Sequence, residues 1–388
     1  MKQPQDKNAL VKKTLCLCMI VKNESHIILE TLHSIKDYLD YWVICDTGST
    51  DNTVALVQDF FALHDIPGEI HSEKWVNFGH NRTQAFDYAH QTADYLWVMD
   101  ADDVLVGKPD FSNLEADSYS LRYGTEFVYW RPQLFKGSER WAYQGVLHEY
   151  AICTSRNETR KGFVSGQYHI DSRRLGARNR VDPVVKYLGD AHVLELALQH
   201  ESDPDLTKRY LFYLAQSYRD AGQNEQAIAW YQKRVAAGGW AEEVWFSTYQ
   251  AGLLYELLGD VENAKKHYLE AYEYRPTRAE ALYSLGKMCN LRKDFFQAHM
   301  FLDAASRIPF TQDLLFVFKD VYDYLIPFEL SISAYWVGDF EGSVALSRQV
   351  IALKDKVPLN IFEQAQKNRD FGVEKLSSAG LGTPGAGP

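Results

Sequence analysis

The sequence predicts two domains of different class: an α/β domain with a mostly parallel sheet, followed by an all-helical repeat domain. In the first half, apolar strand-like runs alternate with amphipathic helical patterns. From about Asp182 onward the strand patterns stop, and a glycine followed five residues later by a small residue recurs. The predicted bounds are an N-terminal tail at 1–13, the α/β domain at 14–181, the repeats at 182–376 and a flexible tail at 377–388.

Composition excludes several classes of protein. The 388 residues are 46% apolar and 14% aromatic, which excludes a disordered or fibrous chain. A net charge of −11 disfavours binding to nucleic acid or to an anionic membrane surface. The five cysteines match neither a zinc-site spacing nor a disulfide framework, and the apolar run from Leu15 to Val21 is too short to span a bilayer. We therefore expect a cytoplasmic chain without a transmembrane segment.

Three strands and three helices are predicted in the first hundred residues, in strict alternation. A parallel α/β sheet follows from that order, and such sheets bind ligands beyond the carboxyl ends of their strands. The predicted strands are Leu15 to Val21, Tyr41 to Cys45 and Tyr95 to Met99, and the predicted helices are Ser25 to Tyr38, Thr53 to Leu63 and Asn81 to Thr92.

Polar or acidic residues follow each predicted strand. Asp100-Ala101-Asp102 comes after Tyr95 to Met99, and hard cations such as Mg²⁺ and Mn²⁺ bind carboxylates together with substrate phosphates. By itself this triplet is more typical of a solvated loop. Asp46 and the turn after it add a carboxylate for a ribose or base and a glycine for close backbone approach. Acidic ends on three strands of one sheet favour a nucleotide–metal site.

The second half carries a helical repeat. Its register points are Gly222, Gly259, Lys293 and Gly338, with spacings of 37, 34 and 45 residues. This matches the ~34-residue tetratricopeptide period with insertions, in which glycine ends the first helix of a pair and a small residue lets the second pack closely. An unrelated helical bundle is the alternative. Stacked helix pairs form concave surfaces that bind peptides or a second copy of the chain.

Four segments, in this order, resemble the inverting family-two glycosyltransferases of GT-A fold. Together with the repeats they resemble the subgroup that includes bacterial enzymes glycosylating peptide side chains. The resemblance covers roughly the first 150 residues, and the four segments are Met-Ile-Val-Lys-Asn-Glu at 19–24, Asp-Thr-Gly-Ser-Thr-Asp-Asn-Thr at 46–53, Trp-Val-Asn-Phe-Gly-His-Asn-Arg at 75–82 and Trp-Val-Met-Asp-Ala-Asp-Asp at 97–103.

The resemblance implies a set of donor and metal residues. Asp46 and Glu24 would touch the nucleoside, Arg82 would lie near the base or diphosphate, and Asp102 with Asp100 would hold Mn²⁺ or Mg²⁺. For Glu24 the alternative is a first-turn helix acid, and for Arg82 a solvated helix residue. The full set expected to bind the nucleotide sugar is Val21, Asn23, Glu24, Asp46, Gly48, Ser49, Arg82, Asp100, Ala101 and His148.

His169 resembles the late histidine that completes the metal site in several GT-A enzymes, and imidazole suits Mn²⁺ better than Mg²⁺. A hydrogen-bonding histidine near a strand end is the alternative. A basic cluster follows it, which would clamp the diphosphate or an acidic acceptor, or form a solvated linker. The cluster is Arg173, Arg174, Arg178 and Arg180.

Inverting transfer needs a carboxylate base on the acceptor side of the sheet, downstream of the acidic triplet. Glu149 is the candidate, with His148 beside it as a substrate or carboxylate contact. Asp103 is the competing base, and a structural Glu149 paired with an arginine is the alternative. The family's usual acidic pair is absent at 148–149, where a histidine precedes the glutamate.

The sequence thus predicts a metal-dependent inverting glycosyltransferase that uses a nucleotide-sugar donor, most simply UDP-linked. A peptide, protein or saccharide would be the acceptor, and self-association through the repeats is a further expectation. An inactive adapter that binds proteins through its repeats is the second hypothesis. A nucleotidyltransferase is disfavoured, because no glycine-rich basic loop follows the first strand, where Lys22-Asn23-Glu24 stands.

Overall fold

The structure is a computed structural model that describes residues 12–125, 127–173 and 175–380. The chain divides into two compact units, Met1–Trp230 and Tyr231–Pro388. The predicted boundary at 181/182 is therefore not where the compact units separate. Two helices assigned to the repeats contact the α/β domain instead, and they share one apolar cluster with Leu147 of that domain. Most of the predicted tail at 1–13 lies outside the described residues.

The amino-terminal half of the first unit confirms the predicted alternation of strand and helix. The elements are β1 (Leu15–Val21), α1 (Ile28–Ile35), β2 (Tyr41–Asp46), α2 (Thr53–Leu63), β3 (Gly68–Ser72), α3 (Phe78–Ala89) and β4 (Tyr95–Val98), with a 3₁₀ turn at Lys36–Tyr38. These four strands are parallel, in the order β3-β2-β1-β4. The helix predicted at Ser25 to Tyr38 begins only at Ile28 in the structure. Strand β3 was not predicted from the sequence.

The rest of the sheet contains both parallel and antiparallel pairs. The prediction of a mostly parallel sheet therefore holds only for its first four strands. The later strands are β5 (Asp103–Asp110), β6 (Ser118–Tyr123), β7 (Phe127–Lys136), β8 (Trp141–Gln144), β9 (Tyr150–Cys153), β10 (Lys161–Phe163) and β11 (Ser165–Ser172). The order continues β4-β7-β6-β11-β5, and the β4–β7, β6–β7 and β5–β11 pairs are antiparallel. Strands β8 and β9 form a separate antiparallel hairpin.

Both faces of the parallel strands are covered, which explains their unbroken apolar sequences. On one face Leu17, Ile44 and Trp97 pack with α1 and α2. On the other face Cys16 and Cys18 pack with Ala85 and other residues of α3. All five cysteines are free thiols, and burial raises the pKa of Cys16 and Cys45 to about 12. Cys16 and Cys45 are therefore core residues, and their thiols are protonated at neutral pH.

The helices run from α4 to the last described residues. They are α4 (Pro183–Leu198), α5 (Pro204–Asp220), α6 (Asn224–Ala236), α7 (Ala241–Leu257), α8 (Val261–Tyr274), α9 (Glu280–Leu291), α10 (Phe295–Ser306), α11 (Ile326–Trp336), α12 (Phe340–Ala352) and α13 (Leu359–Gly380), with a short strand β12 (Val317–Phe318) before α11. The predicted flexible tail begins too early, because α13 continues through 377–380. Among the described helices none is long and apolar enough to cross a bilayer.

The repeat register is confirmed at all four predicted points. Gly222, Gly259, Lys293 and Gly338 have φ angles of 75°, 79°, 65° and 91°, so each ends its helix in the left-handed region. At each point the next residue donates its N–H to a carbonyl five residues earlier, as Asp260 does to Tyr255. The small residues that follow by five are fully buried, namely Ala227, Ala264, Ala298 and Ser343.

Lys293 occupies a backbone position at which the other repeats have glycine. A lysine in the left-handed region costs about 1–2 kcal/mol in steric strain. Glycine avoids this strain, but part of the gain is offset because glycine loses more conformational entropy on folding. We therefore expect Lys293→Gly to stabilise the second unit by about 0.5 kcal/mol. Thermal unfolding measures this. Gly259→Ala is the matched control and should lower the melting temperature, and a lower melting temperature for Lys293→Gly would contradict the argument.

Candidate functional site

Two loops at the carboxyl ends of β1 and β2 are bound to one another. The Asn23 carboxamide accepts the Thr50 N–H at 2.7 Å, and the Asn23 N–H donates to Ser49 Oγ at 2.9 Å. Asn23 has φ 58°, a conformation that asparagine tolerates better than most residues. Hydrogen bonds from Ser25 and Thr53 outweigh partial burial and lower the pKa of Asp51 to about 2. The predicted donor residues Asn23 and Ser49 thus lie together in two hydrogen-bonded loops, residues 22–27 and 47–52, which we call the double loop.

Asp46 stands at the centre of this double loop. It is buried, and its carboxylate accepts the Ser49 N–H at 3.1 Å and the Gly48 N–H at 3.3 Å. Gly48 has φ 101°, which suits glycine alone among common residues. Val21, the last residue of β1, pairs with Asp46 in the parallel ladder. The structure therefore brings Val21, Asp46, Gly48 and Ser49 together, with Asp46 shaping the turn that a ligand would meet.

Arg82 links the predicted acidic triplet to the predicted base. Its Nη2 lies 2.5 Å from Asp100 Oδ1, and its Nε donates to Glu149 Oε1 at 2.7 Å. Arg131 binds the other oxygen of Asp100 at 3.1 Å. Arg82 is 8% exposed. Against the effect of burial, Arg82 and Arg131 hold the pKa of Asp100 well below its usual range. The alternative of a solvated Arg82 is wrong, and Glu149 is paired with an arginine.

A glycine allows this network to form. A Cβ on Gly79, in the first turn of α3, would lie 2.3 Å from the Gly145 carbonyl oxygen. Real Cβ atoms do not approach backbone so closely, so another residue would push the loop that carries Glu149 away from Arg82. The Trp75 to Arg82 segment therefore works as a unit: Gly79 sets the approach of the helix, and Arg82 one turn later makes the ion pairs.

Asp103, the competing base, lies inside the core. It is 1% exposed, and its Oδ2 accepts the Tyr123 hydroxyl proton at 2.8 Å. Its Oδ1 has no hydrogen-bond partner among the described residues. Burial, reinforced by the charge of Asp100, raises the pKa of Asp103 to about 7. A carboxyl so enclosed has no contact with solvent from which an acceptor would approach.

Glu24 and Asp102 converge on one short segment, residues 175–177, which we call the strap. Gly176 N–H donates to Asp102 Oδ2 at 2.8 Å, and Ala177 N–H donates to both Glu24 oxygens at 3.1 Å. Leu175 O lies 2.9 Å from His26 Nε2. Burial, opposed by the Ala177 N–H and reinforced by the charge of Asp102, raises the pKa of Glu24. Glu24 precedes α1, whose first-turn acid is Glu30, so the alternative of a first-turn helix acid is wrong.

The predicted three-ligand metal site does not form. Both carboxylate oxygens of Asp100 bind arginines. In the β5–β11 ladder His169 pairs with Val106, and Ser172 pairs with Asp103, so His169 lies three residues, roughly 10 Å, along the strand from the acidic triplet. Tyr168 and Ile170 face the core, so alternation turns His169 to the other face of β11. Across residues 12–125, 127–173 and 175–380, no group of three His, Cys, Asp or Glu side chains is placed to hold a metal ion.

The predicted basic cluster is dispersed over different partners. Arg173 pairs with Glu30 and donates to the Asp102 carbonyl at 3.3 Å. Arg178 pairs with Asp190 and lies over the Phe78 ring. Arg180 is exposed, and Arg174 lies outside the described residues. The structure therefore does not assemble these arginines into one clamp.

His148 and helix α5 form an aromatic surface beside Glu149. The His148 ring stacks on Tyr213 at a centroid distance of 3.8 Å and an angle of 6°. Arg209 donates from Nε to the His148 carbonyl at 2.6 Å. His148 has φ 54°, and the residue is exposed. Desolvation of the stacked ring, followed by the charges of Arg209 and Arg178, lowers the pKa of His148 to about 3.

Sequence reasoning missed three residues of this site: Arg131, Arg209 and Tyr213. Arg131 lies in β7, in a stretch where no strand was predicted. Arg209 and Tyr213 lie on α5, which was assigned to the repeats and so to a separate domain. A signal for the α5 residues was present, since Pro204 follows Asp203 as a strong helix start, but no pattern in the sequence tells which surface that helix contacts.

Two family models match parts of the chain. Residues 16–111 match the model described as glycosyl transferase family 2, and residues 248–278 match the model described as tetratricopeptide repeat. The first range contains the double loop, Arg82 and the acidic triplet. The second covers the later part of α7 and all of α8.

Curated relatives match over short segments. A TPR repeat-containing protein of Synechococcus elongatus is 36% identical over 90 residues, 23% of this chain and 21% of its own. The glycosyltransferase SunS of Bacillus subtilis is 36% identical over 92 residues, 24% of this chain and 20% of its own. The chain thus spans about a fifth of the length of these relatives.

Solved structures show weaker likeness. Staphylococcus aureus TarS 1–349, in complex with UDP-GlcNAc, has a TM-score of 0.37 at 14% identity, covering 68% of this chain and 92% of its own. A tetratricopeptide repeat protein from Parabacteroides merdae has a TM-score of 0.38 at 17% identity, covering 50% and 70%. TM-scores at this level do not establish a shared fold for the whole chain.

Proposed function

We propose that this chain, which carries a glycosyl transferase family 2 domain followed by tetratricopeptide repeats, transfers a sugar from a nucleotide-sugar donor to an acceptor. The Glu149–Arg82–Asp100 network carries the proposal, because it joins the end of β4 to a carboxylate on the neighbouring loop. The family-two match covers the same strand ends, and the SunS relative is named a glycosyltransferase. A UDP-linked donor is the specific form that we propose.

On the donor side, the double loop and Glu24 would receive the nucleoside. Gly48 leaves its backbone open, with no atom within 4 Å of an added Cβ, so a base or ribose can approach there. Asp46 keeps that turn in place through the N–H groups of Gly48 and Ser49. The diphosphate would then extend toward Asp102, at the end of β4, where the strap now donates its N–H groups.

On the acceptor side, Glu149 would act as the base. Arg82 holds Oε1, and Oε2 has no hydrogen bond among the described residues. In the proposed step the acceptor hydroxyl, thiol or amine gives its proton to Glu149 Oε2 while its heteroatom forms a bond to the anomeric carbon. The anomeric carbon–oxygen bond breaks, and its electron pair leaves with the nucleotide diphosphate. A single displacement of this kind inverts the anomeric centre.

A divalent cation fits this site only through Asp102 and the donor. Mg²⁺ and Mn²⁺ are commonly bound by one or two carboxylates plus substrate phosphates, so a preformed three-ligand cage is not required. Asp102 would hold the ion. Asp100, whose two oxygens bind arginines, and His169, on the other face of β11, would not. When bound, the ion supplies positive charge for the diphosphate.

We expect UDP to bind at least about tenfold more tightly with Mn²⁺ than in chelator, and we expect Asp102→Asn to remove that difference. The amide keeps an oxygen for the Gly176 N–H but loses the charge. Isothermal titration of UDP measures it, with the exposed Asp110→Asn as matched control. Equal affinity with metal and with chelator in the unsubstituted chain would contradict metal dependence.

A panel of nucleotide sugars tests the function itself. The full chain is incubated with each donor and Mn²⁺, and thermal unfolding and nucleotide release are followed. A bound donor at a hundred times its dissociation constant should stabilise the protein by about 2.7 kcal/mol. If no donor shifts the melting temperature or is consumed, the adapter hypothesis replaces the enzyme. Three expectations stay predictions: that the acceptor is a peptide, protein or saccharide, that the repeats bind this acceptor or a second copy of the chain, and that the protein is cytoplasmic.

A further inference from the structure

Arg209, on helix α5, is held by two aromatic rings and one backbone carbonyl. Its guanidinium carbon lies 5.1 Å from the Tyr150 ring centroid and 5.0 Å from the Tyr213 ring centroid. Its Nε donates to the His148 carbonyl at 2.6 Å. Two aromatic rings and one hydrogen bond thus fix the plane of the guanidinium. Such an arginine loses little side-chain entropy when it binds a ligand.

The outer nitrogens of Arg209 remain available. Among the described residues no carboxylate forms an ion pair with it, although the chain has a net charge of −11. The acids of the surrounding helices are engaged elsewhere: Asp203 caps α5 through the Asp205 and Leu206 N–H groups, Asp205 pairs with Lys208, and Asp190 pairs with Arg178. A fixed guanidinium without a carboxylate partner is a receptor for an oxyanion.

The position of Arg209 connects it to the acceptor side. His148, whose carbonyl it binds, directly precedes Glu149. The His148 ring stacks on Tyr213, and Arg209 lies against that same tyrosine. The low pKa of His148, about 3, reflects desolvation and then the nearby guanidinium charges of Arg209 and Arg178. The guanidinium of Arg209 thus gives this surface a positive charge next to Glu149.

We propose that Arg209, fixed between Tyr150 and Tyr213, binds an oxyanion of the acceptor, a phosphate or a carboxylate, and so positions the acceptor at Glu149. The inference rests on the proposed function, because it names the acceptor class for that same site. Helix α5, the first helix of the Gly222 repeat, would then also form part of the acceptor site, in agreement with its place in the first compact unit.

Direct anion binding tests this without any donor or acceptor. The full chain is titrated with inorganic phosphate and, separately, with acetate, and the His148 ring protons are followed by NMR. We expect saturable phosphate or acetate binding that shifts His148, and a loss of affinity of at least about tenfold in Arg209→Met. Arg209→Lys should have an intermediate affinity for the anion, because lysine keeps the positive charge but lacks the planar guanidinium that donates two parallel N–H groups. Preference for phosphate or for acetate identifies the source of the oxyanion.

Arg219→Met is the matched control, because it removes a guanidinium from the same helix at a position that pairs with Asp220, and it leaves the Asp205–Lys208 pair intact. It should leave anion binding unchanged. Undiminished binding in Arg209→Met, or no saturable binding of either anion to the unsubstituted chain, would overturn the inference. A failure of the function itself looks different: anions would bind at Arg209, but UDP would not bind and no nucleotide sugar would be consumed.

Discussion

Glu149→Gln is expected to lower sugar transfer by about 10²–10⁴-fold while leaving the affinity for UDP nearly unchanged. The glutamine keeps an oxygen that can accept the Arg82 N–H, so the position of the side chain should survive. What is lost is the ability to take a proton, which matters in the transition state and not in nucleotide binding. Nucleotide release from an accepted donor and isothermal titration of UDP measure the two quantities separately.

Asp103→Asn is the control for this prediction. Asp103 lies one residue from the proposed metal carboxylate, but it is enclosed and hydrogen-bonded to Tyr123. We expect this variant to retain turnover. If Asp103→Asn is inactive and Glu149→Gln keeps near-normal turnover, the base is Asp103, and Glu149 serves only to hold Arg82.

Arg82→Met is expected to destabilise the first compact unit by about 3 kcal/mol. Methionine replaces much of the side-chain volume but leaves Glu149 without its cation and Asp100 with Arg131 alone. Asp100 is partly accessible to water, so the cost should fall at the lower end of the range for a broken buried ion pair. Thermal unfolding read by a signal from the α/β unit measures it.

Two further variants separate charge from packing. Arg140→Met removes an exposed pair with Asp87 of α3 and should cost less than about 1 kcal/mol. The double variant Arg82→Met with Glu149→Gln should recover part of the lost stability, because it no longer leaves a carboxylate unpaired in a poorly solvated place. Equal destabilisation by Arg82→Met and Arg140→Met would show that the network is not a stabilising element.

Local patterns predicted the parts of the fold that depend on neighbouring residues. β1 and α2 have their predicted bounds, because a continuous apolar run and an amphipathic helix are visible within a dozen residues. The repeat register was predictable for the same reason, since a left-handed helix end and a small buried residue lie five positions apart. The strands after β4 were not predicted. The β4–β7 and β5–β11 pairs join residues far apart in sequence, whereas the β6–β7 and β8–β9 hairpins are local.

For the site, the sequence by itself determined which polar residues follow the parallel strands, since β1, β2 and β4 must end at one edge of the sheet. It therefore placed Glu24, Asp46 and Asp102 together. Only the tertiary structure decided how charges pair: Asp100 with two arginines, Glu149 with Arg82, and His169 on the far face of β11. It also placed α5 against the loop that carries His148 and Glu149, through Arg209 and Tyr213. Ion pairs and helix docking depend on three-dimensional proximity and desolvation, which no local pattern of residues encodes.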